Sequence, residues 1–159
     1  MQNKLTSPKL SDEEVRYLNG KIEQLRTSRG PFKSIVSIVN YKTHIQKVVP
    51  RNPWVYVIDE NARIIYVGST GKHKRTPADR FRDLLYYNPN NPEPSNRTSH
   101  TLTYKLVKPG KVGRFDNGKQ VREFYSDRCS VRYVVTKDVF EAKLIEDILI
   151  RKLKPSYND

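Results

Sequence analysis

The run Trp54-Val55-Tyr56-Val57-Ile58 and the run Arg63-Ile64-Ile65-Tyr66-Val67-Gly68 constrain this chain more than any other feature. Both are crowded with β-branched and aromatic residues, which suit a pleated, half-buried surface. Asp59-Glu60-Asn61-Ala62 between them has the composition of a turn. The three pieces specify a hairpin. A sheet that grows from it must be covered by helices or by a second sheet.

The rest of the chain supplies helices. Ser11 with Glu14 is a capping-box pair, and Val15, Leu18, Ile22 and Leu25 follow at helical spacing. Arg29-Gly30-Pro31 breaks that helix, and a second, β-branched helix is expected between Phe32 and Val49. Thr76, Pro77 and Asp79 carry the signals of a helix start, with the helix expected to reach about Tyr87. A proline-rich loop follows over 88–98, then a short helix from His100 to Val107. Asp116-Asn117-Gly118, centred in Lys111–Tyr125, reads as the turn of a β-hairpin. Ser130–Thr136 alternates as a third core strand. Asp138 with Glu141 opens a last helix lined by Ala142, Ile145, Leu149 and Leu153 and ended by Pro155. The expected class is α+β: a small three-stranded antiparallel sheet flanked by helices, with an N-terminal helical extension over 1–53 and an inserted β-hairpin.

Thirty Lys and Arg against seventeen Asp and Glu give a net charge of +13. A compact surface with that excess attracts polyanions, nucleic acid first among them. The single cysteine, Cys129, rules out an intramolecular disulfide and any zinc site built on several cysteines. It is expected to be a buried strand residue. His44 and His73 have no partners at metal-ligand spacing and read as surface residues. No signal-like or membrane-spanning apolar run is present, so a soluble cytoplasmic protein is expected.

Hydrolysis of a phosphodiester needs an activated water, a cation to receive charge growing on the phosphate, and usually a divalent metal at the leaving oxygen. Mg²⁺ takes oxygen ligands and is satisfied by one carboxylate plus waters and substrate phosphate. One well-placed Glu, one Arg and a hydroxyl therefore suffice.

Val55-Tyr56-Val57 followed by Tyr66-Val67-Gly68 resembles the paired strands of the GIY-YIG nuclease superfamily. The likeness continues in order with Arg80-Phe81 on a helix and with Glu141-Ala142-Lys143-Leu144-Ile145-Glu146 on a later one. The ending Lys154-Pro155-Ser156-Tyr157-Asn158 is like that of excision-repair members. The resemblance covers 54–159, which then form one nuclease domain with an insertion at about 86–129. The first triplet lacks its glycine, and the 53 residues before Trp54 match nothing in the motif.

The resemblance implies that Glu146 binds one Mg²⁺ or Mn²⁺ and that Arg80 contacts the scissile phosphate. Tyr56 and Tyr66 would meet near the metal, one orienting or deprotonating water and the other binding phosphate, with Tyr56 favoured as base. Asn158 would hold the site together by hydrogen bonds, and His100 corresponds to a histidine found in some members. Beside the resemblance, Lys72, Lys74 and Arg75 read as a phosphate clamp. Arg114, Lys119 and Arg122 on the expected hairpin read as groove contacts.

The implied activity is that of a metal-dependent DNA endonuclease, acting as monomer or homodimer. Recognition elements set inside the domain point to a restriction-type enzyme. A homing or branched-DNA repair nuclease is the alternative. A non-catalytic nucleic-acid-binding module and an RNA binder outside the family are readings of other classes.

Overall fold

The computed structural model describes residues 10–27, 51–70, 77–85, 100–108 and 110–158. The helix expected between Phe32 and Val49, the loop over 88–98 and the Lys72, Lys74 and Arg75 cluster lie outside them. The elements are α1 (Asp12–Thr27), β1 (Trp54–Glu60), β2 (Arg63–Ser69), α2 (Pro77–Leu85), α3 (Thr101–Leu106), α4 (Gly118–Arg128), β3 (Cys129–Val135) and α5 (Val139–Leu153). The three strands form one antiparallel sheet in the order β2-β1-β3, which makes the class α+β.

β1 lies in the middle, and its first six residues are all buried. That explains a run with no polar alternation: a central strand covered on both faces needs apolar residues on both. Trp54, Tyr56 and Ile58 enter one core with Leu84, Leu102, Leu106, Val121, Phe124, Tyr125 and Val131. Val55 and Val57 enter a second core with Leu18, Leu25, Val67, Val134, Ala142, Ile145 and Leu149. α2, α3 and α4 thus cover one face, and α1 and α5 the other. The N-terminal helix shares its core with the last one.

Two helix caps are formed as their sequence suggests. The Glu14 amide donates to Ser11 Oγ at 3.2 Å, and the Glu141 amide donates to Asp138 Oδ1 at 2.8 Å. The Glu141 side chain turns back to accept from the Lys137 amide at 3.0 Å and from the Tyr17 hydroxyl at 3.3 Å, tying α5 to α1. Cys129 is fully buried at the start of β3.

The expected hairpin around Asn117-Gly118 is not formed; α4 stands there instead. Asn117 is its N-cap, with Oδ1 accepting from the Gln120 amide at 3.0 Å. The Gln120 side chain accepts from the Asp116 amide at 2.8 Å. Asn117 thus caps the helix, and Gln120 reaches back one residue further than a capping box would, to the amide before the cap. Val121, Phe124 and Tyr125 follow at helical spacing and fill the first core. Asn-Gly serves a turn or a cap equally well. The apolar period after it decides, and here the period is that of a helix.

The β1–β2 turn places Asn61 at φ 49° and Ala62 at φ 68°, the left-handed pair of a two-residue hairpin connection. Two-for-two pairing from that turn would set Val57 opposite Tyr66 and carry Tyr66 to the α5 face. The register shifts between Ile58 and Asp59 instead, so that Ile58 pairs with Tyr66 and Tyr56 with Gly68. Ile65 is the extra residue. The bulge turns Tyr66 onto the same face as Tyr56, which is a common use of bulges beside functional sites.

Candidate active site

Tyr56 and Tyr66 now stand diagonally across two neighbouring strands with ring centroids 6.3 Å apart. Both are buried, at 1% and 6% exposure. Directly opposite Tyr56 is Gly68, and a Cβ there would lie 2.5 Å from the Tyr56 Cζ and Oη. The glycine is the floor on which the ring lies.

α2 brings Arg80 against both hydroxyls, close enough to hydrogen-bond each of them. The Arg80 side chain is half-buried, and its Nε is a buried donor without a partner among the described residues. An unsatisfied guanidinium donor beside two phenols suits an oxyanion. Burial pushes the Tyr56 phenol well up, with Arg80 pulling it partly back and the charges of Tyr66 and Glu146 adding to the rise. The same burial raises Tyr66, again against Arg80. With the protein groups alone, both tyrosines hold their protons at neutral pH.

His100 completes the cluster from the N-cap of α3. It is fully buried, and its Nε2 lies 2.5 Å from the Tyr56 hydroxyl. Its Nδ1 accepts from the Leu102 amide at 3.0 Å, and its own amide donates to Asp83 O at 3.1 Å. Burial first and the Arg80 charge second push the imidazole well below its usual range, so it is neutral. Thr103 Oγ1 donates to Leu84 O at 2.5 Å and meets the Tyr125 hydroxyl at 2.8 Å, which pins α3 to α2 and α4.

Glu146 projects from α5 beside the buried stripe of Ala142, Ile145 and Leu149, its side chain 14% exposed. It accepts from the Ser69 hydroxyl and pairs with Lys143 at 3.6 Å, both through Oε2. Among the described residues neither of these contacts uses Oε1. Those residues include no group of three or more His, Cys, Asp or Glu able to hold a metal. A cation bound here would have Glu146 as its protein carboxylate and take its other ligands from water and substrate. Mg²⁺ accepts that arrangement, and the donor set fits it.

Asn158 does not join the reacting cluster. Its side-chain amide accepts from the Val67 amide at 2.7 Å and donates to Val67 O at 2.8 Å, while the Tyr157 amide donates to Ile65 O at 3.0 Å. The chain end is thereby clamped along β2, and its hydrogen bonds hold the strand that carries Tyr66. Arg114 is engaged elsewhere. Its guanidinium makes a paired bridge to Glu60 at 2.8 and 2.9 Å and lies 4.6 Å from the Phe124 ring centroid. Lys119 and Arg122 lie on α4 rather than on a hairpin. Lys119 is exposed beside Glu123 at 4.0 Å.

Two participants escaped the sequence reading. Ser69 follows the Tyr-Val-Gly triplet and was given no role; its only signal is a hydroxyl where the second strand ends. Gly68 stands in the sequence as the end of a motif, and the ring that requires it is visible only in the fold.

No family model matches the chain, and no curated protein matches it. Among solved structures, the chain is similar to the GIY-YIG N-terminal endonuclease domain of UvrC from Thermotoga maritima bound to its catalytic divalent cation, magnesium. The TM-score is 0.42 and the identity 19%, over 76% of this chain and 97% of that one. A Tyr-to-Phe point mutant of the same domain, also bound to its catalytic divalent cation, gives a TM-score of 0.41 and 19% identity, over 77% and 99%. Likeness of that order says nothing about chemistry, which the side chains of the site must carry.

Proposed function

We propose that the chain is a divalent-metal-dependent endonuclease that hydrolyses DNA, of the restriction type. The observation that carries this reading is the convergence of Tyr56, Tyr66 and the partnerless Nε of Arg80 on one face of the hairpin, with the Glu146 charge acting on both phenols. The +13 charge of the chain favours a polyanionic substrate.

Arg80 receives the scissile phosphate and is fixed before substrate arrives, so its charge is in place when the phosphate becomes more negative. Tyr56 and Tyr66 orient the phosphate and the attacking water by hydrogen bonds, and their burial keeps bulk water from competing. Glu146 and Ser69 hold the place of Mg²⁺ or Mn²⁺. When bound, the ion would supply Lewis-acid stabilisation of the leaving oxygen and acidify a water. Lys119 and Arg122 remain the proposed groove contacts, carried on α4 instead of a hairpin. The resemblance set out from the residue motifs supports the same places for Glu146, Arg80 and the two tyrosines, although here Tyr56 orients the water where the resemblance favours it as base.

The test is cleavage of supercoiled plasmid and of bacteriophage DNA with Mg²⁺, Mn²⁺ or EDTA, wild type beside Glu146→Gln. Discrete fragments from the wild type that vanish with EDTA and in the variant are expected. Tight binding without any cut, on linear and branched substrates alike, would make the chain a binding module. Nicking confined to branched DNA would replace the restriction reading by a structure-specific one.

A further inference from the structure

His100 is fully buried, and its two ring nitrogens are both committed. We infer that His100 is locked by the backbone of α3 in the Nε2-protonated tautomer, so that it donates to Tyr56 Oη and turns the phenol proton away from itself. The inference deepens the proposed nuclease reading and rests on it only for its kinetic part.

The argument starts at Nδ1. The Leu102 amide points its hydrogen at that nitrogen from 3.0 Å, and a backbone amide can only donate. Nδ1 therefore keeps its lone pair. The opposite tautomer would set two N–H groups head to head at a site with no exposure, leaving two buried donors unsatisfied. A neutral imidazole without a proton on Nδ1 carries it on Nε2. The 2.5 Å contact to Tyr56 is then Nε2–H donating to the phenol oxygen.

The consequence falls on Tyr56. A hydroxyl has one proton, and with His100 donating to its oxygen, that proton cannot point at His100. Arg80, a second neighbour of Oη, has only donors to offer. The phenol proton is thus turned away from both His100 and Arg80. His100 does not remove the tyrosine's proton; it aims it. That makes His100 a positioning residue, acting through Tyr56.

The pairing is also sterically closed. The His100 ring packs edge-on to Tyr56 at 6.1 Å and to Tyr66 at 5.2 Å, and α3 is held to α2 by the His100 amide and by Thr103. A ring flip would lose the Leu102 bond and the Tyr56 bond together.

Two measurements test this. Long-range proton–nitrogen correlation spectra of the full chain with labelled histidine read the tautomer without reference to activity, and His100→Asn identifies the His100 signals. A protonated Nε2 with an unprotonated Nδ1 is expected; a protonated Nδ1 overturns the inference. In the kinetic part, His100→Asn keeps an acceptor at the cap and places nothing at the Nε2 position. His100→Gln places an amide N–H near that position. Asn is expected to lower kcat roughly 100-fold with KM little changed, as for a misplaced reacting group, and Gln to regain a good part of it. Equal kcat in the Asn variant and wild type overturns the positioning role. Should the wild type cut no DNA at all, the nuclease reading fails while the spectra still decide the tautomer.

Discussion

Substituting Gly68 by alanine tests the geometry of the site through a single methyl group. The new Cβ would lie 2.5 Å from Tyr56 Cζ and Oη and 2.9 Å from Cε1, whereas ordinary contact starts at 3.4 Å. The ring must therefore retreat by roughly 1 Å to escape the repulsive wall. Little space exists for that movement. Tyr56 is 1% exposed, sits with its ring centroid 5.9 Å from Trp54 and 6.3 Å from Tyr66, and is bonded at 2.5 Å to His100. Overpacking of this kind costs about 1–3 kcal/mol, or roughly 2–12 °C in melting temperature for a chain of this size. A shift of about 1 Å in a reacting group also costs on the order of 100-fold in rate. Gly20 in the middle of α1 is the control, because a Cβ there meets nothing within 4 Å. Gly20→Ala should stabilise by about 1 kcal/mol from helix propensity alone. Thermal melts and plasmid-cleavage rates of both variants decide. A Gly68→Ala protein that melts and cuts like the wild type would refute the placement of the Tyr56 ring on that glycine.

Ala62→Gly should stabilise by about 0.5–1 kcal/mol, because relief of a left-handed non-glycine residue outweighs the added freedom of the unfolded chain. A loss of stability in urea titration would contradict the observed turn. Asn117→Ala should cost about 1 kcal/mol and Asn117→Gly only a few tenths, the signature of a helix cap; equal losses would not fit one. For pH, hydrogen bonds from Arg114 hold the Glu60 carboxyl below its usual range, with burial opposing. A carboxyl depressed in the folded state adds stability above its unfolded pKa of about 4.3 and loses it as pH falls through the lower folded value. The stability gap between wild type and Arg114→Ala should therefore be wide at pH 7 and narrow at about pH 3 in chemical denaturation; a gap unchanged by pH would remove the pairing.

Much of the scaffold was legible because it depends on local rules. The two strands of the hairpin, the caps at Ser11 and Asp138 and the stripe of Ala142, Ile145 and Leu149 all follow from spacing and residue type. The Asn117-Gly118 dipeptide is shared by two structures, a hairpin turn and a helix cap, and Gln120 with the apolar period after it decides for the cap. The facing of Tyr66 depends on the bulge at Ile65, and no residue type announces it. Without the bulge the two tyrosines would lie on opposite faces, so their meeting is a tertiary fact that spacing alone does not carry. The same holds for His100: its presence after the Arg80 helix could be read, but the commitment of both ring nitrogens is visible only once α3 is placed.

The clamp of the chain end along β2 has a consequence outside the reaction. β2 is an edge strand, and an edge with free amides and carbonyls invites another strand to pair with it. Here the Ile65 carbonyl and both polar groups of Val67 are taken by Tyr157 and by the Asn158 amide, which mimics a neighbouring strand. The protection comes from residues 91 positions away in the chain, a span that closes late in folding. Until it closes, the bulged strand lies open, and self-association at that edge is the misfolding route this architecture invites. Crowded refolding, rather than heating of the finished protein, is where loss of Asn158 would first be felt.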